Sequence, residues 1–443
     1  MIEKIYDKAP AWAQNLAISL RGWLIQNRRY GPQFHEELKR FEQYAYKPDV
    51  LLRDMLVASC EVPAYKGIVN DTDLDALRSN PLVAYDILKK FPVVGKQQVK
   101  DHLSDYKNPN YPEKVFTMKT SGTTGSGLLF PYSVEMENKQ WAVWWRYRRA
   151  LGIQLDTWCG WLGGRSIIPL TNRKPPYWRV NRPGRQVMYS SHHLSSATVM
   201  AYHDDMEKRK LQWLHGYPSS ASLLASLIVE SGLNPIESVR WVTTGAENLL
   251  KHQVETIKRA FPNALVRTHY GLAEGVANFS QDKNGEWHID DDFAYVEFLP
   301  LDGTGESVCR IVGTGLSNRA FPLIRYDTGD LAKVHWIDGK PEFVEIYGRQ
   351  EDYIELPNGV KLGRLDHIFK DSVNIREAQI HQIKKNLIEL RVVKDGGYTD
   401  QDERHLLYEA SSRFGKEVEL MITYCDRIER TKAGKVRFVV TDI

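Results

Sequence analysis

Cysteine is scarce in this chain of 443 residues, and the four cysteines lie far apart. No two of them form a C-x-x-C pair, and no cluster of Cys and His is present. This pattern disfavours a disulfide framework and a Cys-rich zinc site, and it predicts reduced thiols, as in the cytoplasm. The cysteines are Cys60, Cys159, Cys309 and Cys425.

Long apolar runs are also missing, since no stretch approaches the length that a membrane-spanning helix needs. The first residues show no basic region followed by an apolar core, so no secretory signal is expected. We therefore predict a water-soluble, cytoplasmic protein. Residues 11–28 carry apolar side chains at helical spacing, and a helix packed on its own domain is favoured over a helix at a membrane interface.

Charge of one sign is not in excess, because 59 Lys and Arg stand against 56 Asp and Glu, a net charge of +3. This balance predicts no general nucleic-acid binding. Residues 157–203 nevertheless contain no Asp or Glu. This segment is either a site for an anionic partner, such as a phosphorylated sugar or the nucleotide part of coenzyme A, or a solvated basic surface. Its basic residues are Arg165, Arg173, Lys174, Arg179, Arg182 and Arg185.

The lysine of a Walker loop is missing as well, because no segment supplies G-x-x-x-x-G-K-[ST]. Residues 120–125 instead read Thr-Ser-Gly-Thr-Thr-Gly. Gly122 and Gly125 allow the backbone to approach a polyphosphate closely, while the hydroxyls offer hydrogen bonds and a contact to Mg²⁺. Taken alone, the run fits a phosphate-binding loop and an ordinary Ser/Thr/Gly loop equally well.

The length predicts one large multi-layered domain and a smaller one. Residues 1–100 read as a helical cap, with periodic stretches at 34–46 and 50–60. Strand and helix patterns then alternate, which indicates a mostly parallel α/β sheet, and a β-rich subdomain with hairpins follows after Gly285. New α and β patterns begin near Asp352. The predicted domains are residues 1–351 and a small, mobile α+β domain at 352–443.

Four further motifs follow the glycine-rich loop in order along the chain. With that loop they resemble the core motifs of the adenylate-forming (acyl-CoA synthetase) superfamily. Residues 91–96 (FPVVGK) and 430–440 resemble the phenylacetate-CoA ligase group, in particular its CapK-like branch associated with capsular polysaccharide synthesis. The resemblance covers most of the chain and implies the fold of the adenylate-forming enzymes. The motifs are residues 269–274 (HYGLAE), 325–330 (RYDTGD), 348–352 (GRQED) and 430–435 (RTKAGK).

The resemblance implies a role for each matching residue. Tyr270 and Gly271 would pack on the adenine, Asp330 would accept hydrogen bonds from the ribose, and Arg349 would contact the ribose or a phosphate. Glu274, with Thr124, would bind Mg²⁺ through oxygen. The residues implied for ATP or AMP are Ser121, Gly122, Thr123, Thr124, Gly125, Gly245, Ala246, Glu247, His269, Tyr270, Gly271, Asp330, Arg349 and Lys435.

Lys435 is the catalytic residue that the resemblance implies for adenylation, together with Thr124 and Glu274. An ammonium between the attacking carboxylate and the α-phosphate would stabilise the charge that develops in the transition state. Asp352 matches the hinge about which the small domain would rotate. Without the other motifs, Lys435 would be a solvated lysine in a turn and Asp352 a surface acid. Residues 126–128 replace a proline and lysine of many relatives, and a structural zinc is not expected.

The resemblance implies that the acid lies between the adenine site and a gate formed by His192 or His193, with Tyr270 in the same pocket. A two-histidine metal site is the alternative, but no third ligand lies nearby in sequence. The protein is thus expected to activate a carboxylic acid as an acyl-AMP, with release of pyrophosphate from ATP, and then to transfer the acyl group to coenzyme A. Two alternatives are transfer to an amine in surface polysaccharide synthesis and a non-catalytic nucleotide-binding partner.

Overall fold

The computed structural model describes residues 6–120, 128–164, 166–301, 307–338, 340–349, 354–357, 361–362, 365–369, 374–415, 417–431 and 436–443. The chain divides into two compact units. Unit 1 comprises Met1–Trp23, Asp156–Thr268 and Gln350–Ile443, and unit 2 comprises Leu24–Leu155 and His269–Arg349. The chain passes from unit 2 to unit 1 beside the predicted domain boundary. The domains at 1–351 and 352–443 themselves stay a prediction.

The helices are α1 (Ala11–Arg29), α2 (Pro32–Glu42), α3 (Pro48–Ser59), α4 (Asp71–Ser79), α5 (Ala84–Leu88), α6 (Lys96–Asp101), α7 (Val134–Ala150), α8 (Val199–Arg209), α9 (Pro218–Glu230), α10 (Lys251–Ala260) and α11 (Asp400–Phe414). The strands of residues 1–271 are β1 (Val94–Gly95), β2 (Val115–Lys119), β3 (Leu129–Ser133), β4 (Cys159–Leu162), β5 (Trp178–Asn181), β6 (Gln186–Tyr189), β7 (Trp213–Gly216), β8 (Trp241–Gly245) and β9 (Leu265–Gly271). The later strands are β10 (Asn278–Gln281), β11 (Trp287–Ile289), β12 (Ala294–Pro300), β13 (Val308–Gly315), β14 (Tyr326–Ile337), β15 (Lys340–Arg349), β16 (Ile354–Glu355), β17 (Lys361–Leu362), β18 (Ile375–Lys384), β19 (Leu387–Lys394), β20 (Glu419–Tyr424) and β21 (Val439–Thr441).

Unit 1 is built on a sheet with the order β5-β6-β4-β7-β8, beside which β9 begins. Strands β6, β4, β7 and β8 are parallel, and β5 joins the edge antiparallel to β6. The connecting helices α8, α9 and α10 cover this sheet, and the apolar core lies between Leu162 and Val266. Helix α9 starts at Pro218, a residue suited to the first turn because its missing N–H would be unpaired there. The alternating sequence pattern is thereby confirmed as a parallel sheet.

The carboxy-terminal part of unit 1 has its own sheet, in the order β20-β19-β18-β21, with α11 against it. Ile380, Ile388 and Leu390 are fully buried between the sheet and the helix. Helix α11 starts with a capping box in which Thr399 and Asp402 exchange hydrogen bonds.

Unit 2 contains an antiparallel sheet in the order β12-β13-β14-β15, with β1 parallel to β14. The end of β9 pairs with β10, and β10 pairs with β11, in a second antiparallel set. Helix α7 is capped by Ser133, which accepts a hydrogen bond from the Met136 N–H at 3.1 Å. The predicted hairpins are represented by β14 and β15, and Asp338 has a φ of +50° between these two strands.

Helix α1 contacts strand β5 of unit 1 through the side chains of Asn15 and Ser19. Within the described part of the chain, no helix combines the length and apolarity that would let it cross a membrane.

Candidate active site

Tyr270 lies near the end of β9, where the strand pairs with β10. Its ring stacks on the buried ring of Phe279, with centroids 5.1 Å apart and planes inclined by 29°. Its hydroxyl donates a hydrogen bond to Oδ2 of Asp330 at 2.8 Å. Two residues that the motifs predicted for nucleotide binding, 60 positions apart in sequence, are thus in direct contact.

Asp330 lies in β14 directly opposite Arg349 of β15, in antiparallel register. The turn that leads to Asp330 is held by its own side chains. The Gly329 N–H donates to Asp327 Oδ1 at 2.9 Å, and the Asp330 N–H donates to Thr328 Oγ1 at 3.1 Å. Gly329 has a φ of +72°, which glycine adopts without strain. The fold therefore brings Tyr270, Asp330 and Arg349 together.

Gly271 is required by a close approach of the chain to Asn278. A Cβ on Gly271 would lie 2.7 Å from Asn278 Oδ1 and 3.3 Å from Trp144 Nε1. These two atoms already form a hydrogen bond of 2.9 Å, donated by Trp144. Trp144 lies in α7. No motif indicated the contact of Trp144 with the segment that is predicted to bind the nucleotide.

A network of buried charged residues holds Asn278 in place. Asn278 Nδ2 donates to Asp290 Oδ2 at 2.6 Å, and Arg146 Nη2 donates to Asp290 Oδ1 at 2.6 Å. Arg146 also binds Asp292 through both of its Nη atoms, at 2.5 and 2.8 Å. Burial raises the pKa of Asp290 to about 6, and the charge of Arg146 opposes this rise. The network fixes Asn278 and, through it, the backbone at Gly271.

Glu274 lies three residues after Gly271 and is buried, with 8% of its surface exposed. The next residue, Gly275, has a φ of +67°, and a Cβ there would lie 1.7 Å from Met136 Cε. Only glycine fits this turn, which is closed by a hydrogen bond from the Gly275 N–H to the Leu272 carbonyl at 3.0 Å. A carboxylate is the oxygen donor that Mg²⁺ prefers, so Glu274 fits the predicted ligand by its chemistry.

The predicted residues of unit 1 lie at the carboxyl ends of the parallel strands. Glu247 follows β8 after Ala246, which has a φ of +67°, a rare conformation for a residue with a Cβ. Glu247 Oε2 accepts the Ser219 N–H at 3.2 Å, and Oε1 accepts the Val436 N–H at 3.3 Å. Burial raises the pKa of this carboxyl, while hydrogen bonds from Ser219 and the charge of Arg430 oppose the rise.

Arg430 anchors the segment that carries the last motif. Its Nη2 donates to Glu377 Oε1 at 2.5 Å, and its Nη1 donates to Ser219 Oγ at 3.1 Å. Arg430 and Val436 form an isolated antiparallel bridge. Arg430 therefore contacts the start of α9, and Val436 contacts Glu247 after the end of β8. Sequence reasoning assigned no role to Glu377, because nothing local marks a partner 53 positions away.

The two histidines of the predicted gate make separate contacts. His192 Nε2 lies 3.2 Å from the Gly164 carbonyl oxygen, after the end of β4. His193 Nδ1 lies 2.8 Å from Ser190 Oγ, and its ring stacks on Tyr177 with centroids 5.5 Å apart. Burial and the neighbouring His192 lower the pKa of His193. His192 thus lies at the same strand ends as Glu247, whereas His193 packs against a core aromatic residue.

A surface depression of about 560 Å³ lies at the other ends of the parallel strands of unit 1, where β4 and β7 begin. Its lining includes Asp156–Trp158 and Leu211–Gln212, which precede β4 and β7. Ligands of parallel α/β sheets bind at the carboxyl ends of the strands, so this depression is not the predicted site.

Several predicted site residues lie outside the described residues. They are Ser121, Gly122, Thr123, Thr124, Gly125, Asp352 and Lys435.

Comparisons with known proteins identify relatives of the chain. Residues 356–442 match the family model of the CapK C-terminal domain. Over 458 aligned residues, which span 100% of both chains, the sequence is 22% identical to Protein CapK of Staphylococcus aureus.

Solved structures identify the fold. The structure is similar to 2-hydroxyisobutyryl-CoA ligase in the postadenylation state in complex with 2-HIB-AMP, with a TM-score of 0.65 and 16% identity over 89% of this chain and 88% of that chain. It is also similar to the anthranilate CoA ligase AuaEII in complex with anthranoyl-AMP, with a TM-score of 0.50 and 9% identity over 75% of this chain and 66% of that chain. The predicted fold class, that of the adenylate-forming ligases, is confirmed.

Proposed function

From the premise that this chain is a CapK-related protein with the adenylate-forming ligase fold, we propose that it activates a carboxylic acid with ATP. The product would be an acyl-adenylate, with release of pyrophosphate. The observation that carries this proposal is the assembly of Tyr270, Asp330 and Arg349 from three separate motifs.

Each of these three residues suits a nucleoside. The Asp330 carboxylate can accept hydrogen bonds from the two ribose hydroxyls, and the Tyr270 hydroxyl already orients it. The Tyr270 ring, held by Phe279, offers an apolar wall to a base. Arg349 carries a permanent charge that can bind a ribose oxygen or a phosphate.

Lys435 would supply the charge that the chemical step requires. Attack of a carboxylate on the α-phosphate brings two anions together, and an ammonium lowers the energy of that transition state. Val436, the next residue in sequence, has its N–H bound by Glu247. This contact holds the backbone of Val436 at the end of β8. Glu274 and Thr124 would hold Mg²⁺, which would neutralise charge on the triphosphate of ATP.

Coenzyme A is the acyl acceptor that we propose, with a thioester as product. The structural relatives are named as CoA ligases, which supports this acceptor. An amine acceptor, which would give an amide in surface polysaccharide synthesis, is the alternative that the relation to CapK supports. Assays without coenzyme A separate the two, because an amide would form without it and a thioester would not. ATP and coenzyme A are cytoplasmic compounds, in agreement with the predicted compartment.

The experiment that tests the proposal is acid-dependent exchange of pyrophosphate into ATP. Aryl acids, fatty acids, amino acids and uronic acids would be compared with wild-type protein, Lys435→Ala and the control Lys251→Ala, which alters an exposed lysine of α10. Exchange with one class of acid that is lost only in Lys435→Ala would support the proposal. Binding of ATP without exchange for any of these acids would favour the non-catalytic alternative.

A further inference from the structure

Helix α1 exposes its large apolar side chains to solvent. Trp12, Leu16, Leu20 and Trp23 have 71%, 65%, 61% and 52% of their surface exposed. Their spacing of four, four and three residues places them on one face of the helix. Isolated exposed leucines are common, but four large apolar residues in a continuous row mark an interaction surface. We call this row the α1 face.

The opposite side of α1 holds the helix to its unit through polar groups. Asn15 Oδ1 accepts the Val180 N–H of the edge strand β5 at 2.9 Å, and Ser19 Oγ donates to the Val180 carbonyl at 3.2 Å. Gly22 lies so close to Asn181 that a Cβ would come within 2.0 Å of its Oδ1. A helix that only covered a core would place its apolar side inward. This helix places polar residues inward and apolar residues outward, so packing in its own unit does not explain the α1 face.

Two stretches of sequence at the α1 face lack acidic residues. Residues 8–35 contain no Asp or Glu, and the basic segment 157–203 contains none either. The two stretches meet, because the Arg182 N–H donates to Ser19 Oγ at 3.3 Å. Arg179 is buried, and its Nε donates to Gln14 Oε1 at 2.5 Å. It therefore holds α1 in place and is not available to bind an anion. Arg21, Arg173, Lys174, Arg182 and Arg185 are exposed.

We propose that the α1 face and its exposed basic residues bind the surface of a membrane that contains anionic phospholipids. Tryptophan and leucine side chains enter the boundary between headgroups and acyl chains, while basic side chains remain at the level of the phosphates. The absence of acidic residues from both stretches favours an anionic bilayer over a second copy of the chain, because two such basic surfaces would repel each other. The protein would lie on the membrane, in agreement with the lack of a spanning helix among its described residues.

The test is co-sedimentation of the full-length protein with vesicles. One set contains phosphatidylcholine alone, and the other contains phosphatidylcholine with one third phosphatidylglycerol. The variant Leu16→Ser/Leu20→Ser removes two apolar contacts of the α1 face. Leu82→Ser is the matched control, since Leu82 is 60% exposed but lies outside α1. All three proteins should unfold at the same urea concentration, because exposed substitutions change stability little.

We expect the wild type and Leu82→Ser to sediment with the anionic vesicles and to bind neutral vesicles much less. The double variant should bind about ten-fold more weakly, and raising the salt from about 0.1 M to about 1 M should weaken wild-type binding. Wild-type protein that stays in the supernatant with anionic vesicles would overturn the proposal, as would equal binding by the double variant or equal binding to neutral vesicles. A concentration-dependent dimer that the double substitution abolishes, without vesicle binding, would instead assign the α1 face to a second copy of the chain.

Discussion

Glu247 binds the backbone of Val436, with 3.3 Å between Glu247 Oε1 and the Val436 nitrogen. The other oxygen of the same carboxylate binds the Ser219 N–H at the start of α9. A single carboxylate thereby connects the end of β8, the first turn of a helix and the residue that follows Lys435.

Replacing Glu247 with alanine should slow adenylation more than it weakens ATP binding. The Val436 and Ser219 N–H groups would lose their acceptor, at about 1 kcal/mol each, and kcat of pyrophosphate exchange should fall about ten-fold. Glu255→Ala, an exposed residue of α10, is the control. An unchanged kcat in Glu247→Ala would show that the position of Val436 does not matter for the chemical step.

Tyr270→Phe should weaken ATP binding while leaving kcat nearly unchanged. The substitution keeps the stacking on Phe279 but removes the hydrogen bond to Asp330, an interaction with a charged acceptor worth about 1.5 kcal/mol. The KM for ATP in the exchange assay should therefore rise about ten-fold. Tyr295→Phe alters another partly buried tyrosine of unit 2 and should leave this KM unchanged. Equal KM values for all three proteins would argue against a role of Tyr270 in holding Asp330.

Arg430 and Glu377 should stabilise unit 1 only when both residues of this ion pair are present. Their side chains are 12% and 4% exposed, so Arg430→Met would leave a buried carboxylate uncompensated. We expect a loss of about 3 kcal/mol in the free energy of unfolding, measured with urea, and recovery of at least half of it when Glu377→Met is added.

Arg376→Met provides a comparison, because Arg376 pairs with Glu230 at a more accessible place. Its expected cost is about 1 kcal/mol or less. Additive effects of Arg430→Met and Glu377→Met would contradict the coupling between these two residues.

Gly271→Ala should destabilise unit 2 and distort the segment that is predicted to bind the nucleotide. The new methyl group would displace Asn278 from its hydrogen bonds with Trp144 and Asp290, and overpacking of this kind costs about 1–3 kcal/mol. Gly95→Ala is the matched control, since a Cβ there has no neighbour within 4 Å. Thermal unfolding of the two variants measures the difference. Equal melting temperatures would mean that Asn278 can move without cost.

Ionisation of Asp290 should contribute to the pH dependence of the free energy of unfolding. Burial raises its pKa from 3.8 to about 6, so ionising this carboxyl costs more free energy in the folded protein than in the unfolded chain. The stability that Asp290 contributes is present below about pH 4 and is lost as the pH rises through about 6, by up to ~3 kcal/mol. The free energy of unfolding, measured with urea, should therefore decline between pH 4 and pH 7 in the wild type. This decline should be smaller in Asp290→Asn. Parallel curves would assign the decline to other groups.

Sequence alone predicted those parts of the molecule that local patterns determine. The alternation of strands and helices, of which α9 and β8 are examples, follows from apolar periodicity and is present in the structure. The resemblance to the adenylate-forming superfamily implied a shared site for Tyr270, Asp330 and Arg349, which the fold brings together.

Contacts that depend on distant partners could not be predicted in this way. Arg146 binds Asp290 and Asp292 across about 145 residues, and no local pattern distinguishes it from the arginines beside it in α7. Periodicity showed that α1 is a helix but did not indicate which of its faces would be exposed. Arg179 looked like a candidate for an anion, yet its guanidinium is used by Gln14 and by two backbone carbonyls.

The division of unit 1 into three stretches of sequence has a consequence for biosynthesis. A nascent chain that has reached Arg349 already contains all of unit 2, whereas unit 1 still lacks its last stretch. Val436 is synthesised 189 residues after Glu247, and Arg430 is synthesised 211 residues after Ser219, so these contacts cannot form earlier. Contacts between such distant stretches form late and slowly, because long loops must close first. Unit 2 can therefore fold before unit 1, which can be completed only once residues 350–443 have been synthesised.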